Sequence, residues 1–462
     1  ENDQEVFSLA QSYGILGKEK LADKELEAQN AQTVTLPDPY IYANKITSMV
    51  SGAGIRMHMP AGATNTQAAQ MVENYAVWWW EEAGDRQMFA GATEPLRRMA
   101  HFATLRGWIT ALLLPNSQDD EFPYLLDIED PLVVYPRFSR KGPIRVTRQY
   151  SITALEARHE FPDSAEFLEA LQDDENVDVT AYYDAVYHMV LIGGRAYSDA
   201  KLRAVAARPV KHDVVDLKGN PVLPWVILVP MGDLTGPKSG GNVDTRLYGP
   251  GILYGMHEVY NHLCRLVSME LTQVAKAVDP PSIQFFRQGS PVPEPLKLEP
   301  GTRNFMFYMD SDVKFLDLAP NPGNLVPLRA TLEDRLQLAS APKVFFGESG
   351  NIQSGYGVGL LTNAAMDVLR PYTGAVERAV KLLMRRMLEI TYSVTSGTHG
   401  PMEITGRQGL MGRTMSGIQF DPSLIASTGV QMDVKMGEVT PQDKAAAANY
   451  GIGLVTTASC RS

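Results

Sequence analysis

Few residues of this chain have the types and spacing that catalysis or metal binding requires. His257, Glu258 and His262 resemble the histidine pair of a zinc protease. The two histidines are five positions apart rather than four, so they do not share one face of a helix. A surface helix is the simpler interpretation of these residues.

A glycine-rich segment invites a second chemical interpretation. Gly355, Gly357 and Gly359 could form a phosphate-binding loop, because glycine lets backbone amides approach an anion at the start of a helix. The segment follows a predicted helix and loop rather than a strand, and the chain contains no GxxxxGK[ST] motif. A soluble cytoplasmic enzyme that binds a phosphorylated ligand at this loop is kept as the alternative function.

Acidic and aromatic clusters have structural interpretations as well. Asp127, Glu129 and Asp130 could supply metal ligands, but no histidine or aspartate cluster lies nearby, and a turn leading into a strand is favoured. Residues 78–80 are three consecutive tryptophans, for which core and interface packing is favoured over base stacking. Without a catalytic constellation, the chain is predicted to be a structural protein with no catalytic residues, no metal and no cofactor.

Composition limits the remaining classes. The 462 residues are 44% apolar, enough for two or three globular domains. The net charge of −11 argues against a protein that clamps nucleic acid, although it is compatible with a conduit that must not hold DNA. Cys264 and Cys460 do not make a disulfide scaffold, and no apolar run is long enough for a bilayer, so a soluble protein in a reducing compartment is predicted.

The first half of the chain mixes helices and strands. Residues 65–90, 94–109 and 152–171 have helical patterns, and the predicted strands are 110–114, 127–135, 144–150, 179–192 and 225–230. The order lacks the regular alternation of a doubly wound parallel sheet. We therefore predict an α+β fold.

The second half contains long apolar-periodic helices. One runs from Ile252 to Val278, and an amphipathic helix runs from Leu325 until Pro342 ends it. Between them, residues 280–322 contain short apolar pieces that predict a small β module. A glycine-rich loop follows, and the helical period returns from Leu361 to Ile390, about 30 residues with a kink near Pro371.

In their order, these segments resemble the portal proteins of tailed double-stranded-DNA bacteriophages. The matching stretches are 94–114, 130–137, 251–278, 325–340, 351–390 and 440–460, which together cover most of the chain. The sequence departs from the family in the GYGVG segment and in a short final helical region.

The resemblance implies a portal fold with the following layout. An N-terminal arm (1–37) precedes an α+β wing (38–250), which is followed by the first stem helix (251–279), a β-containing clip (280–321) and the second stem helix (322–342). A tunnel loop (343–357), a wing helix with return strands (358–436) and the start of a helical crown (437–462) complete the chain.

The resemblance also implies a function. Portal proteins form a ring, normally a dodecamer, at one capsid vertex of the virion, and the ring is assembled in the host cytoplasm. Double-stranded DNA passes through the ring without sequence specificity during genome packaging and ejection. The implied partners are the large terminase subunit, head-completion or adaptor and tail proteins, and the major capsid and scaffold proteins, with no membrane contact. The chain itself is implied to be no enzyme, because the ATPase is the terminase.

Two groups of residues are candidates for this function. The channel-facing tunnel loop would contain Lys343, Glu348, Asn351, Gln353 and Ser354. For Lys343 and Glu348, ordinary loop charges that face neighbouring subunits are an equally good interpretation. Packing of the stem, within or between subunits, would use Leu263, Leu266, Leu328, Leu332 and Leu336.

Overall fold

The fold combines helices and strands in two compact units. The computed structural model describes residues 36–52, 54–60, 66–116, 122, 124–139, 142–161, 168, 171–193, 195–197, 210–212, 214–231, 249–278, 282–286, 303–307, 313–315, 326–339, 355–395, 402–404 and 418–436. The small unit comprises Glu1–Tyr42 and Leu253–Asn351, and the large unit comprises Ala43–Ile252 and Ile352–Ser462. The predicted α+β class is confirmed.

The elements are numbered along the chain. The α-helices of the described residues are α1 (Asp38–Ser51), α2 (Thr66–Phe89), α3 (Pro95–His101), α4 (Ala154–Glu160), α5 (His257–Val278), α6 (Val326–Ala339), α7 (Gly355–Thr395) and α8 (Ser423–Thr428). The strands are β1 (Ile55–His58), β2 (Ile109–Pro115), β3 (Tyr124–Glu129), β4 (Val134–Ser139), β5 (Gly142–Thr153), β6 (Asn176–Asp184), β7 (Tyr187–Ile192), β8 (Arg195–Tyr197), β9 (Val210–Lys211), β10 (Trp225–Leu228), β11 (Ser282–Phe286), β12 (Arg303–Phe307), β13 (Val313–Phe315), β14 (Met402–Ile404), β15 (Ile418–Phe420) and β16 (Asp433–Met436).

The helix predicted over 94–109 and the strand predicted over 110–114 are confirmed in the large unit, although the helix ends earlier, at Gly107. Helix α3 starts at Pro95, where the missing N–H costs nothing, and continues as a π-helical turn over Phe102–Arg106. Gly107 ends it with φ of 78°, and β2 begins at Ile109. A Cβ at Gly107 would lie 1.9 Å from the carbonyl oxygen of Gly249, so the two backbones approach as only glycine allows.

Two sheets share one core in the large unit. Strands β10, β2 and β3 form an antiparallel sheet in that order, and β4 to β8 form a second sheet in which β9 pairs with β7. Trp225 of β10 and Leu112 of β2 belong to the same buried cluster as Val134, Val146 and Tyr183 of the second sheet. This shared cluster fixes the two sheets against each other.

One predicted strand is wrong. Residues 127–135 are not continuous, because β3 ends at Glu129 and a 3₁₀ turn over Pro131–Val133 leads into β4 of the other sheet. The Asp130 carboxylate accepts a hydrogen bond from the Leu132 backbone N–H (3.0 Å), and Pro131 cannot donate to a ladder. The turn therefore interrupts an apolar run that looked like a single strand.

The predicted helix over 152–171 begins later than expected. Ile152 and Thr153 close β5, and α4 starts at Ala154 under a capping box between Thr153 and Glu156. Its Ala154 and Ala157 pack on Leu168, Val177 and Ile192.

Helix α7 is longer than the sequence predicted. It has 41 residues, about 60 Å, and begins at Gly355 rather than Leu361, so Gly355 and Gly357 are helical and not part of a loop. Extending an existing helix forms one backbone bond per residue, which offsets the cost of about 1 kcal/mol for each glycine. The helix continues through Pro371, and its apolar face is buried at Leu369, Tyr372, Ala375, Val376, Ala379, Val380, Leu383, Met384, Met387, Leu388 and Ile390.

The small unit holds two helices and a sheet. Helices α5 and α6 flank, in the sequence, the strands β11, β12 and β13, which form a three-stranded sheet in the order β12-β11-β13. Strand β11 pairs parallel to β12 and antiparallel to β13. The predicted small β module between two helices is confirmed for these strands.

No helix within the described ranges is both long enough and apolar enough to cross a bilayer.

Candidate functional site

The most distinctive surface of the molecule lies on the helix pair of the small unit. Leu263 of α5 and Leu336 of α6 are each 2% exposed and form a buried cluster with Met256. Val259 and Leu332 are partly buried against this cluster. The two helices therefore pack through leucines at helical spacing.

Two contacts between α5 and α6 show that these helices run antiparallel. A guanidinium nitrogen of Arg329 lies 3.2 Å from the carboxylate of Glu270, and Leu336 packs in the cluster of Leu263. Moving forward along α5 therefore corresponds to moving backward along α6. The side chain of Arg329 is 47% exposed and also pairs with Glu333 at 2.8 Å, so these ion pairs sit at the surface and contribute little stability.

The half of the pair that lies beyond Glu270 and Arg329 leaves apolar side chains uncovered. Val278 is 80% exposed and Val326 is 61% exposed. Four of these residues, Leu271, Val274, Val278 and Leu328, are named here the open face; Val326 lies about 200° around α6 from Leu328 and is not part of it. They lie at the ends of α5 and α6 that lead, in the sequence, into the three-stranded sheet. Exposed apolar patches are often binding surfaces, so the open face is a candidate site for contact with another molecule.

The predicted packing residues fall into two groups. Leu263, Leu266 and Leu336 are buried and Leu332 is half-buried, whereas Leu328 is 50% exposed and belongs to the open face. The structure therefore brings Leu263, Leu332 and Leu336 together and leaves Leu328 outside their cluster. The predicted tunnel-loop residues Lys343, Glu348, Asn351, Gln353 and Ser354 all lie outside the described residues.

The large unit contains a buried ionic cluster that sequence reasoning missed. Arg148 of β5 lies 2.7 Å from the Glu129 carboxylate and 3.4 Å from that of Asp127, both on β3, so the cluster joins the two sheets. The Arg148 guanidinium also stacks over the Tyr150 ring at 4.0 Å. Burial and the neighbouring Asp127 carboxylate raise the pKa of Glu129 to about 8, against the opposing effect of Arg148.

The acidic stretch therefore has a structural role and not the role of a metal site. Glu129 pairs with Arg148, and Asp130 pairs with Arg106 at 3.0 Å while capping the turn after it. The signal that could have found the ionic cluster is an acidic residue at an inward position of an apolar strand, since such a residue requires a partner. The partner itself is distant in sequence and belongs to another sheet.

A second buried polar network ties helices to the sheet. The hydroxyl of Tyr75 lies 2.5 Å from that of Tyr124, which in turn contacts the hydroxyl of Thr391 on α7. Burial raises the pKa of Tyr75 to about 12, so this hydroxyl stays protonated at neutral pH. The network positions α2, β3 and α7 and offers no ionised nucleophile.

The remaining sequence candidates also have structural roles. His257, Glu258 and His262 are all exposed on α5. Trp79 is fully buried and stacks on Phe122 at 6.2 Å, while Trp78 and Trp80 are half-buried. Across the part of the chain that the structure describes, no group of three or more histidine, cysteine, aspartate or glutamate residues could hold a metal ion.

No protein-family model matches the chain, and no curated protein matches its sequence.

Proposed function

We propose that this chain is the portal protein of a tailed double-stranded-DNA bacteriophage. The observation that carries the proposal is the open face of the small unit, on two antiparallel helices that flank a three-stranded sheet in the sequence. In a ring, neighbouring copies would cover these side chains. Burying the four aliphatic side chains of the open face contributes about 1.5–3 kcal/mol each, and every subunit of a ring does so.

The order of elements supports the same proposal. In a portal fold, α5 and α6 would be the stem, the sheet β12-β11-β13 the clip, and α7 the wing helix that follows the tunnel loop. The divisions of the chain after Ile252 and after Asn351 lie close to the predicted segment boundaries at 250 and 357. The passage from α3 through Gly107 into β2 matches the wing segment of the resemblance.

The proposed ring would be a passive channel at one vertex of the virion. It would dock the large terminase subunit during packaging, and later head-completion, adaptor and tail proteins, while capsid and scaffold proteins surround it. Each residue of a twelvefold ring becomes a circle of twelve. A net charge of −11 for each subunit would then disfavour binding of DNA to the ring and favour sliding of DNA through it.

The glycines of the alternative function lie in a helix and not in a loop. A cytoplasmic enzyme would bind a phosphorylated ligand at Gly355, Gly357 and Gly359, and all three residues belong to helix α7. Gly355 and Gly357 lie in its first turn, where backbone N–H groups have no partner within the helix, whereas the N–H of Gly359 lies beyond that turn.

The mass of the purified chain tests the proposal. A ring of about twelve subunits of 50.8 kDa is expected by light scattering and by negative-stain imaging. A stable monomer or dimer at micromolar concentration would contradict it.

A pair of variants tests whether the open face holds the ring together. Leu328→Asp places a charge on the open face, and because Leu328 is half-exposed the chain should still fold. Ala330→Asp is the matched control, since Ala330 is exposed on the same helix about 200° around its axis. Loss of the ring in the first variant only is expected, and equal behaviour of both variants would contradict the assignment.

A further inference from the structure

A cavity of about 690 Å³ lies in the large unit, apart from every residue considered above for function. Asn44 and Thr47 of α1 form one side, and the turn from Ala90 to Thr93 after α2 forms another. Helix α3 and the π-helical turn supply the rest with Arg97, Arg98, His101 and Phe102. A cavity of this size holds an organic molecule the size of a nucleotide.

The lining of this cavity is rich in cationic groups. Arg97 and His101 are four positions apart and share one helical face, and Arg98 lies beside them with its guanidinium 5.8 Å from the centre of the Phe102 ring. Within the described ranges, no carboxylate lies at ion-pair distance from Arg97 or Arg98. Two guanidinium groups therefore line the same cavity, and the acidic groups closest to it, Glu129 and Asp130, act on Arg98 and His101 from beyond ion-pair distance.

A buried hydroxyl in the wall of the cavity lacks a partner. Thr47 is 2% exposed, and its Oγ1 has no hydrogen-bond partner among the described residues. An unpaired buried hydroxyl costs about 1–3 kcal/mol, and a bound group that accepts its hydrogen bond removes that cost. Thr47 faces the same cavity as the two arginines.

The turn after α2 does not oppose an anion strongly. Helix C-termini carry partial negative charge, but the last carbonyls of α2 are occupied: Ala90, Gly91 and Ala92 donate their N–H groups to Arg86, Met88 and Gln87. Gly91 adopts φ of 83° to close this turn. The positive side chains of α3 therefore dominate the field in the cavity.

The state of His101 agrees with an anion site that is preorganised. Burial and the nearby Arg106 lower the pKa of His101, with a smaller contribution from Arg97 and against the opposing effect of Asp130. An anion in the cavity would reverse part of this effect, so binding would draw a proton onto the ring.

We propose that this cavity binds a small phosphorylated molecule, with Arg97 and Arg98 on the phosphate and Thr47 donating to it. Guanidinium groups match the oxygen geometry of a phosphate, and the two charges of a phosphate monoester suit two arginines. The volume exceeds that of inorganic phosphate, so the remainder of the ligand fills the space beside Phe102 and Asn44. This site is independent of ring formation and of the proposed channel.

Calorimetric titration of the full chain with AMP and with adenosine tests the proposal. Saturable binding of AMP and none of adenosine is expected at pH 8, where the phosphate monoester carries two charges. Equal binding of both, absence of saturation at millimolar AMP, or equal affinity for sulfate would overturn the proposal. Effective competition from a short DNA duplex would overturn it as well, because it would indicate a nucleic-acid surface.

Three variants assign the residues. Arg97→Gln and Thr47→Val should each weaken AMP binding, the former by about ten- to a hundredfold, as expected for a charge-assisted hydrogen bond. Arg145→Gln is the control, since Arg145 is an exposed arginine on β5 of the same unit. Arg97 is itself exposed, so its loss leaves the fold intact, and unchanged affinity in Arg97→Gln would contradict the proposal even if Thr47→Val fails to fold.

Discussion

The two units differ in how they bury their helices. In the large unit, the apolar face of α7 is covered from Leu369 to Ile390 by elements of the same unit. In the small unit, α5 and α6 share one small cluster around Leu263 and Leu336, and the open face beyond it is exposed. The large unit thus covers the apolar face of its long helix, whereas the small unit leaves apolar side chains of its helix pair exposed.

The ion pairs of the two units also differ in burial. Arg329 of the small unit pairs with Glu270 and Glu333 at the surface, where solvent screens the charges. Arg148 of the large unit pairs with Glu129 in a site where the Glu129 side chain is only 7% exposed. The Arg329 pairs are therefore replaceable at little cost, whereas the contact of Arg148 with Glu129 is a buried link between two sheets.

Hydrogen exchange should show the largest contrast. In the monomeric Leu328→Asp variant, the amides of α5 from Leu271 to Val278 should exchange at least about a thousandfold faster than those of α7 from Val376 to Ile390. The former can open locally, whereas the latter require global unfolding at a cost of about 5 kcal/mol or more. Mass spectrometry of pepsin fragments measures both.

The proposed ring extends this prediction. If the parent chain forms that ring, exchange of the α5 segment should be slower in it than in the Leu328→Asp variant while that of α7 stays the same, and the Ala330→Asp control should behave like the parent chain. Equal protection of the two segments in the monomer would show that the units do not differ in this way.

Truncation of a core side chain in α7 should have the next largest effect. Leu383→Ala should lower the free energy of unfolding by about 2–5 kcal/mol, because Leu383 is completely buried. Leu382→Ala is the control on the adjacent residue, which is 40% exposed, and should change stability by less than about 1 kcal/mol. All five tryptophans, at positions 78, 79, 80, 108 and 225, lie in the large unit, so their fluorescence during urea unfolding reports on this unit. Similar losses in both variants would mean that the depth of burial is not what stabilises α7.

A glycine pair tests how closely the backbones of the large unit pack. Gly107→Ala should cost at least about 1–3 kcal/mol, because φ is 78° and the new Cβ would lie 1.9 Å from the Gly249 carbonyl oxygen. Gly219→Ala isolates the cost of the backbone conformation, since φ is 79° there and nothing lies within 4 Å of the added Cβ. The difference in thermal midpoint between the two variants measures the cost of the close approach between the Gly107 and Gly249 backbones. Identical midpoints would show that the backbone at Gly107 moves to make room for the added Cβ.

Features with local causes could be predicted from the sequence. The helix-to-strand passage at Gly107, the β module between α5 and α6, and the pairing of Leu263 with Leu336 follow from periodicity and from glycine and proline positions. The extent of α7 was underestimated because glycines were interpreted as breakers, although extending a formed helix offsets their cost.

Features that depend on distant residues could not be predicted. Arg148 and Glu129 meet because β3 and β5 belong to two packed sheets, and no local pattern identifies the pair. The cavity beside Arg97 combines α1 with α3, and only the tertiary structure shows that Thr47 faces it. Of the open face, only Leu328 was among the predicted packing residues, and spacing alone could not separate it from the buried Leu336.

The smallest effect concerns the pH dependence of the large unit. The pKa of Glu129 is about 8 in the folded chain against a usual value of 4.5, so between these values the folded chain holds a proton that the unfolded chain releases. Stability from this group is therefore fully present below about pH 4.5 and is lost as the pH rises through about 8, with a slope of at most about 1.4 kcal/mol per pH unit. Glu129→Gln keeps a neutral side chain of the same shape, so urea unfolding from pH 5 to 8.5 should show a flatter profile than the parent.

The difference between variant and parent isolates Glu129 from its neighbours. Burial also raises the pKa of Glu160, which adds a slope of the same sign to both proteins and cancels in the difference. The contribution of Glu156 to stability has the opposite pH dependence, because hydrogen bonds from Thr153 lower the pKa of Glu156. This contribution is lost only as the pH falls through the acid range. Glu156→Gln is therefore the control that should leave the profile above pH 5 unchanged. A profile for Glu129→Gln that runs parallel to that of the parent would mean that Arg148 keeps Glu129 ionised in the folded chain, and the cluster would then be an ion pair at every pH tested.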